Sequence, residues 1–258
     1  MKKGIIIYSL IDSIKNAQYI EWMQSEALML DIILDMLIVE DFNLNVIKDI
    51  KKVDFMINRT RNYNISLIFE LNKIRVFNNS EITLIGNNKL AGYQYANKIN
   101  IEFPEIFVSR NNISSIISKP IYGHGGNEIK LESDIISEYN NKYLYQQFVG
   151  NLIGDVRFYI INNQIVHAIL RTNNSSFLSN YSKGGDFCLY KYNDTQKKIV
   201  EKFIRNLKID YAGVDFLLTK DNNIIFNEVE DVVGSRMLSE LGINNTTELF
   251  MKHIKANI

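Results

Sequence analysis

Cysteine is nearly absent from this chain, because Cys188 is the single one among 258 residues. One thiol excludes an intrachain disulfide framework and any zinc site made of several thiolates. An isolated cysteine is ordinarily a small buried hydrophobe, so a buried position is predicted for Cys188. A chain without disulfides is also expected in the reducing cytoplasm.

Net charge and long apolar runs are lacking as well. The 29 lysines and arginines balance the 29 aspartates and glutamates, which removes the long-range attraction typical of proteins that coat nucleic acids or bind anionic membranes. The basic start and the apolar residues 4–8 are too short for a signal peptide or a membrane span and predict a first strand. Neither a nucleic acid nor a membrane is therefore expected as a partner.

The length of 258 residues suits one large domain or two to three smaller lobes, and it is enough to bury a sizeable core. Over the first eighty residues, short apolar runs alternate with helical patterns such as residues 17–33, which predicts a small α/β lobe with a parallel sheet. After Asn79 a helix over residues 81–97 leads into a region rich in strands. The predicted fold class is an α/β N-terminal lobe joined to an α+β body, with domains over residues 1–82, 83–146 and 147–258.

The most informative stretch is an acidic hairpin near the C-terminus. Two apolar runs, over residues 211–219 and 224–230, flank a short polar segment. Asp221 and Asn222 tolerate the left-handed backbone that a two-residue turn requires. Such a turn pairs the residues on either side of it, at positions 220 and 223.

Counting outward from this turn places Asp215 opposite Glu228, and Glu230 opposite Gly213 on the same face. Three carboxylates on one face repel one another unless a cation lies between them. Magnesium prefers carboxylate oxygens and completes its octahedron with waters and phosphates, so these acids predict a magnesium site. The alternative is a register offset by one residue, in which Asp215 points to solvent and the acids are ordinary edge charges.

A glycine-rich loop follows a short apolar strand that ends in Lys119 and Pro120. Gly123, Gly125 and Gly126 allow backbone N–H groups to approach an anion closely, and Lys119 adds a point charge suited to phosphate. The loop lacks the Gly-Lys-Ser/Thr ending of a Walker A motif. A plain turn is the alternative.

Two arginines form a third constellation. Arg157 and Arg171 belong to strands on either side of a turn at residues 161–164, so both can project into one cleft, where the guanidinium fork suits phosphate or carboxylate. The alternative for each arginine is a surface charge.

Taken in order from Asn78 to the end, these features resemble the ATP-grasp superfamily, in particular the branch of ribosomal-protein glutamate ligases and glutathione synthetase. The first eighty residues resemble the smaller N-terminal lobe of that family. The resemblance implies a pre-ATP-grasp lobe followed by two ATP-grasp subdomains that grip a nucleotide.

By this resemblance, two lysines contact ATP phosphates, the backbone of a hinge strand binds adenine, and an aspartate contacts the ribose. A glycine loop closes over the phosphates, and a later Asn-x-x-x-Gly-Gly segment completes the match. The residues that the resemblance implies for ATP binding are Lys89, Lys119, Gly123, Gly125, Gly126, Gln146, Gln147, Phe148, Val149, Asp155, Asn180 and Lys183.

The resemblance also implies a reaction, in which the γ-phosphoryl group of ATP moves to a carboxylate and an amine or another nucleophile attacks the acylphosphate. A small molecule or peptide would supply the carboxylate. The implied catalytic residues are Arg157, Arg171 and Arg236. Two Mg²⁺ ions, with Mn²⁺ as the alternative, are expected on Asp215, Glu228 and Glu230.

Two positions depart from the family pattern. Glu230 stands where relatives usually have asparagine and adds a negative charge, and Val233-Gly234 replaces the usual Pro-Gly. The alternatives to a ligase are a non-catalytic nucleotide-binding or scaffold protein and a kinase that stops at a phosphorylated product. Relatives are often oligomers, so a homodimer is an open alternative to a monomer.

Overall fold

A computed structural model of the chain describes residues 1–39, 53–107, 115–123, 128–132, 140–173 and 185–258. Its N-terminal lobe is a four-stranded parallel sheet in the order β2-β1-β3-β4, which confirms the predicted sheet. Strands β1 to β4 are Lys2–Tyr8, Ile32–Ile38, Phe55–Asn58 and Arg75–Phe77. Helices α1 to α3 are Leu10–Lys15, Ala17–Met29 and Tyr63–Leu71.

The helix predicted over residues 17–33 is too long. Helix α2 ends at Met29, and Asp31 adopts a left-handed backbone with φ of 57° that turns the chain into β2. Within β2, Ile32 and Leu34 are buried while Ile33 is exposed. Alternation of this kind is the pattern of a half-buried strand, and it outweighs the helical periodicity that precedes it.

A single helix was predicted over residues 81–97, and this prediction is wrong. Two helices lie there, α4 (Ser80–Asn87) and α5 (Lys89–Lys98). Asn88 separates them with an extended backbone, and its side chain accepts hydrogen bonds from the N–H groups of Leu90 and Ala91. This N-cap places Lys89 at the start of α5.

Two antiparallel sheets form the body, which confirms the predicted α+β architecture. The first sheet has the order β5-β8-β6-β7, and its strands β5 to β8 are Ile106–Phe107, Ile116–Pro120, Lys130–Glu132 and Tyr143–Gln147. The second has the order β11-β10-β9-β12-β13, and its strands β9 to β13 are Leu152–Ile161, Gln164–Thr172, Asp186–Leu189, Tyr211–Thr219 and Ile224–Glu230. Helices α6 to α8 are Asp194–Ile204, Arg236–Glu240 and Thr246–Ala256.

One hydrophobic cluster joins the N-terminal lobe to the body. It combines buried residues of the parallel sheet, such as Ile6 and Phe55, with Tyr159 and Tyr211 of the large sheet and Phe250 of α8. No helix in the described ranges has both the length and the apolar character needed to cross a membrane. The domain boundaries near residues 82 and 146 stay predictions.

Cys188 contradicts its predicted buried position. It lies exposed on β11, which is an edge strand of the large sheet. An edge strand leaves one side open to solvent, and a sequence pattern of four residues is too short to show which side chains face it.

Candidate active site

The acidic hairpin has the predicted alignment of its carboxylates. Asp215 pairs with Glu228, and Gly213 pairs with Glu230, so the alternative register offset by one residue is wrong. The predicted two-residue turn is also wrong, because Thr219 faces Asn223 and its N–H donates to the Asn223 carbonyl at 3.0 Å. The loop therefore has three residues.

A β-bulge reconciles the longer turn with the correct carboxylate pairing. Nearer the turn, Phe216 pairs with Phe226, whereas the next pair is Asp215 with Glu228. Asn227 is thus the extra residue on β13. A bulge shifts the register by one position, and this shift cancels the residue added in the turn.

Asp215 lies at the centre of a buried ionic network. It is wholly buried, and its Oδ1 and Oδ2 accept bidentate hydrogen bonds from Arg157 at 2.8 and 2.7 Å. Its Oδ2 also accepts from Nη2 of Arg171 at 2.7 Å. Gly213 leaves room for this arrangement, since a Cβ there would stand 3.2 Å from Cδ and Nε of Arg157.

Two further carboxylates complete the network. Asp155 accepts from Arg171 at 2.5 Å, and Glu230 forms an ion pair with Arg157 at 2.5 Å. Burial opposes the ionisation of Asp215, but the adjacent guanidinium groups outweigh it and lower the pKa of Asp215. Burial, helped by the charge of Asp215, raises the pKa of Asp155 to about 6 despite its contact with Arg171.

Two lysines contact the second strand of the hairpin, β13. Lys89 lies 3.6 Å from Glu228 and donates to the Gly123 carbonyl, which binds α5 to the start of the glycine loop. Lys119 donates to Oδ1 of Asn227 at 2.9 Å. Burial lowers the pKa of Lys119 to about 8, with Lys89 adding to the shift and Glu228 opposing it.

A cavity of about 670 Å³, lined by residues of both the N-terminal lobe and the body, lies beside this network. The predicted site residues on its wall are Gly123, Arg157, Arg171, Glu228, Glu230 and Arg236. Sequence reasoning missed the contribution of the N-terminal lobe, which includes Lys15, Trp22 and Arg61. No spacing motif marks these residues, because they meet the hairpin only when the lobe packs on the body.

The predicted hinge strand begins with the last two residues of β8, Gln146 and Gln147, in the small antiparallel sheet. Gln146 is buried and accepts from the Tyr93 hydroxyl at 2.9 Å, whereas Gln147 is exposed at the end of β8. Phe148 and Val149 follow and are half-buried. Adenine binding by this segment stays a prediction. Four predicted residues lie outside the described ranges, namely Gly125, Gly126, Asn180 and Lys183.

The acids of the hairpin differ in how well they suit a Mg²⁺ ion. Within the described part of the chain, no group of three or more His, Cys, Asp or Glu side chains is arranged to hold a metal ion. Glu228 and Glu230 nevertheless remain partly exposed, at 30% each, on the cavity wall. Mg²⁺ is commonly held by one or two carboxylates together with substrate phosphates, so these two acids fit it. Arginines occupy both oxygens of Asp215, and its role as a third ligand stays a prediction.

Comparisons with known proteins agree with this architecture. Uncharacterized protein MG011 of Mycoplasma genitalium is 25% identical over 98% of this chain and 92% of its own length. Tetrahydromethanopterin:alpha-L-glutamate ligase of Methanocaldococcus jannaschii is 24% identical over 59% of this chain and 58% of its own length.

Structural similarity extends over the whole chain. The crystal structure of D-alanine–D-alanine ligase from Bacillus anthracis complexed with ATP has a TM-score of 0.71 and covers 100% of this chain and 99% of its own, at 15% identity. At that identity the likeness shows the fold alone, and it confirms the predicted ATP-grasp fold. The RimK-like ATP-grasp domain model matches residues 71–253. The family model thus matches most of the chain, and the chain belongs to the RimK-like ATP-grasp domain family.

Proposed function

We propose that this protein joins the carboxylate of a small molecule or peptide to an amine through an acylphosphate, with release of ADP and phosphate. The observation that carries the proposal is the contact of two lysines with a segment of β13 whose two partly exposed carboxylates line the cavity. Lys89 and Lys119 contact the residues Glu228 and Asn227, which are neighbours on β13. A polyphosphate with a bound cation requires both kinds of charge at short range.

In the first step, a carboxylate oxygen attacks the γ-phosphorus of ATP. A new O–P bond forms, the bond from phosphorus to the β–γ bridging oxygen breaks, and ADP leaves with that electron pair. Lys89 and Lys119 stabilise the phosphate oxygens electrostatically, and most of the catalytic effect comes from such positioning. The adenine and ribose are assigned to the segment of residues 146–149 and to Asp155.

In the second step, an amine nitrogen attacks the carbonyl carbon of the acylphosphate. The new C–N bond forms, the C–O bond to the phosphoryl group breaks, and inorganic phosphate leaves while the amine loses a proton to solvent. Arg157, Arg171 and Arg236 line the cavity where this charge develops. Arg157 and Arg171 donate hydrogen bonds to Asp215, which pre-organises them for an anionic group.

Magnesium would be held by acids of the hairpin. Glu228 and Glu230 would hold it, with Asp215 as the third proposed ligand. When bound, it would neutralise part of the negative charge of the ATP phosphates. Loop closure over residues 123–126 is proposed to exclude water from the acylphosphate.

ADP and phosphate release test this function. ATP with magnesium is supplied with a panel of carboxylates, each with and without a panel of amines, and products are identified by mass spectrometry. We expect ADP release that requires both a carboxylate and an amine, with an amide as product. Release with a carboxylate alone and a stable phosphorylated product would indicate a kinase, and binding of ATP without turnover would indicate a non-catalytic protein.

Removal of the Lys119 ammonium should weaken nucleotide binding. The Lys119→Ala variant loses a buried cation that is proposed to contact phosphate, and we expect its dissociation constant for a non-hydrolysable ATP analogue with magnesium to rise roughly tenfold to a hundredfold. Calorimetry measures this change. An exposed lysine, replaced in the Lys197→Ala variant, is the control, and unchanged affinity of Lys119→Ala would contradict the phosphate role.

Nucleotide affinity should also depend on pH. Burial lowers the pKa of Lys119 to about 8, so the ammonium is charged below that pH and loses its charge above it. We expect affinity to fall as the pH rises through about 8, by at most about tenfold per pH unit. Lys119→Arg should bind with a flatter profile because the guanidinium remains charged. Identical profiles for the two proteins would argue against the assignment.

A further inference from the structure

Asn227 is the extra residue of the β-bulge and directly precedes Glu228, which lies on the cavity wall. In a regular strand, neighbouring residues point to opposite faces of the sheet. Here Asn227 contacts Lys119 at 2.9 Å and the next residue, Glu228, lies 3.6 Å from Lys89. The extra residue of the bulge thus lets two consecutive side chains each contact a lysine beside the cavity wall.

The two lysines differ in how their charge is compensated. Lys89 has a carboxylate partner in Glu228. Lys119 is buried, and among the described residues it has no carboxylate within 4.0 Å, only the neutral amide oxygen of Asn227. An amide oxygen orients the ammonium through a hydrogen bond and leaves its charge uncancelled. That charge remains available to an anion bound beside Glu228.

We propose that Asn227 is a positioning residue for nucleotide binding: it fixes the Lys119 ammonium toward the phosphates while leaving its charge intact. This inference rests on the proposed function, since it takes the Lys119 ammonium to contact phosphate. The Asn227→Ala substitution leaves the buried ammonium without its hydrogen-bond acceptor. The Asn227→Asp substitution keeps nearly the same shape. Its carboxylate pairs with the ammonium, however, and adds a negative charge beside Glu228 that repels phosphate.

Calorimetric titration with a non-hydrolysable ATP analogue and magnesium measures the effect. We expect the dissociation constant to rise roughly tenfold in Asn227→Ala, the cost of losing a hydrogen bond to a charged group, and more than that in Asn227→Asp. The matched control is Asn223→Ala, because Asn223 is an exposed residue at the turn of the same hairpin. Its affinity should change less than about twofold.

A double-mutant cycle separates positioning from a general structural role. In a Lys119→Ala background, Asn227→Ala should change nucleotide affinity less than about twofold, because the group that it orients is gone. Additive losses would overturn the proposal. The shape-matched Asn227→Asp variant tests it independently if alanine disturbs the bulge, and an affinity of Asn227→Asp equal to that of the unmodified protein would also overturn it.

The same data distinguish this inference from the proposed function. If Lys119→Ala leaves nucleotide affinity unchanged, the phosphate role of Lys119 itself is wrong. If Lys119→Ala weakens binding but Asn227→Ala does not, the phosphate role stands and the positioning role of Asn227 fails.

Discussion

The Glu228→Gln substitution should abolish ATP turnover in a protein that remains folded. Glu228 is proposed to hold magnesium, it is partly exposed to the cavity, and it lies 3.6 Å from Lys89. The amide keeps the shape of the side chain but removes the charge that neutralises the metal and orients the lysine. We expect the turnover number for ATP to fall by ~10²–10³-fold, as for other groups that stabilise charge in a transition state.

Two controls make this result specific. Asp221→Asn removes an exposed carboxylate from the turn of the same hairpin and should retain turnover. Lys89→Met removes the ion pair but leaves the carboxylate, so its magnesium requirement should differ from that of Glu228→Gln. Urea unfolding midpoints establish that each variant is folded. Turnover of Glu228→Gln at the rate of the unmodified protein would refute the metal assignment.

The Asp215→Ala substitution should cause the largest loss in the free energy of unfolding. Asp215 is wholly buried and hydrogen-bonds to both Arg157 and Arg171. Its removal leaves two buried guanidinium groups with Asp155 and Glu230 as their remaining carboxylates. Breaking a buried ion pair by deleting one partner costs about 3–5 kcal/mol, and we expect the free energy of unfolding to fall by that amount.

Urea denaturation at several pH values measures this loss. The pKa of Asp215 is lowered in the folded state, so its contribution is complete above its ordinary value of 3.8 and disappears as the pH falls through its folded-state value. The difference between Asp215→Ala and the unmodified protein should therefore shrink in acid. Asp221→Ala provides the exposed control, and a loss below about 0.5 kcal/mol for Asp215→Ala would contradict the importance of the network.

In the hairpin, the carboxylate pairing was predicted correctly because two errors in the predicted register cancelled each other. The pairing of Asp215 with Glu228 was predicted correctly, although the turn was predicted one residue too short. A bulge at Asn227 corrects the count. Residue types that tolerate a turn do not define its length, and a bulge depends on packing against neighbouring strands, so neither could be read from the chain.

The ionic partners of Asp215 could not be predicted from the sequence, for a different reason. Arg157 and Arg171 were predicted to share a cleft, and the structure brings both to Asp215. The sequence contained no sign that these arginines, rather than a metal, would occupy both oxygens of Asp215. That outcome depends on strands β9, β10 and β12 lying side by side.

By itself, the sequence determined the secondary structure of most strands, the parallel sheet of the first lobe and the family of the chain. Local patterns of apolar residues and the order of short motifs carry that information. Only the tertiary structure decided which charges neutralise one another and which, like that of Lys119, meet a neutral partner. Lys15, Trp22 and Arg61 join that cavity from the N-terminal lobe, because a hydrophobic cluster shared by both lobes holds them against the body. Contacts between residues far apart in the chain are set by packing, which no local pattern records.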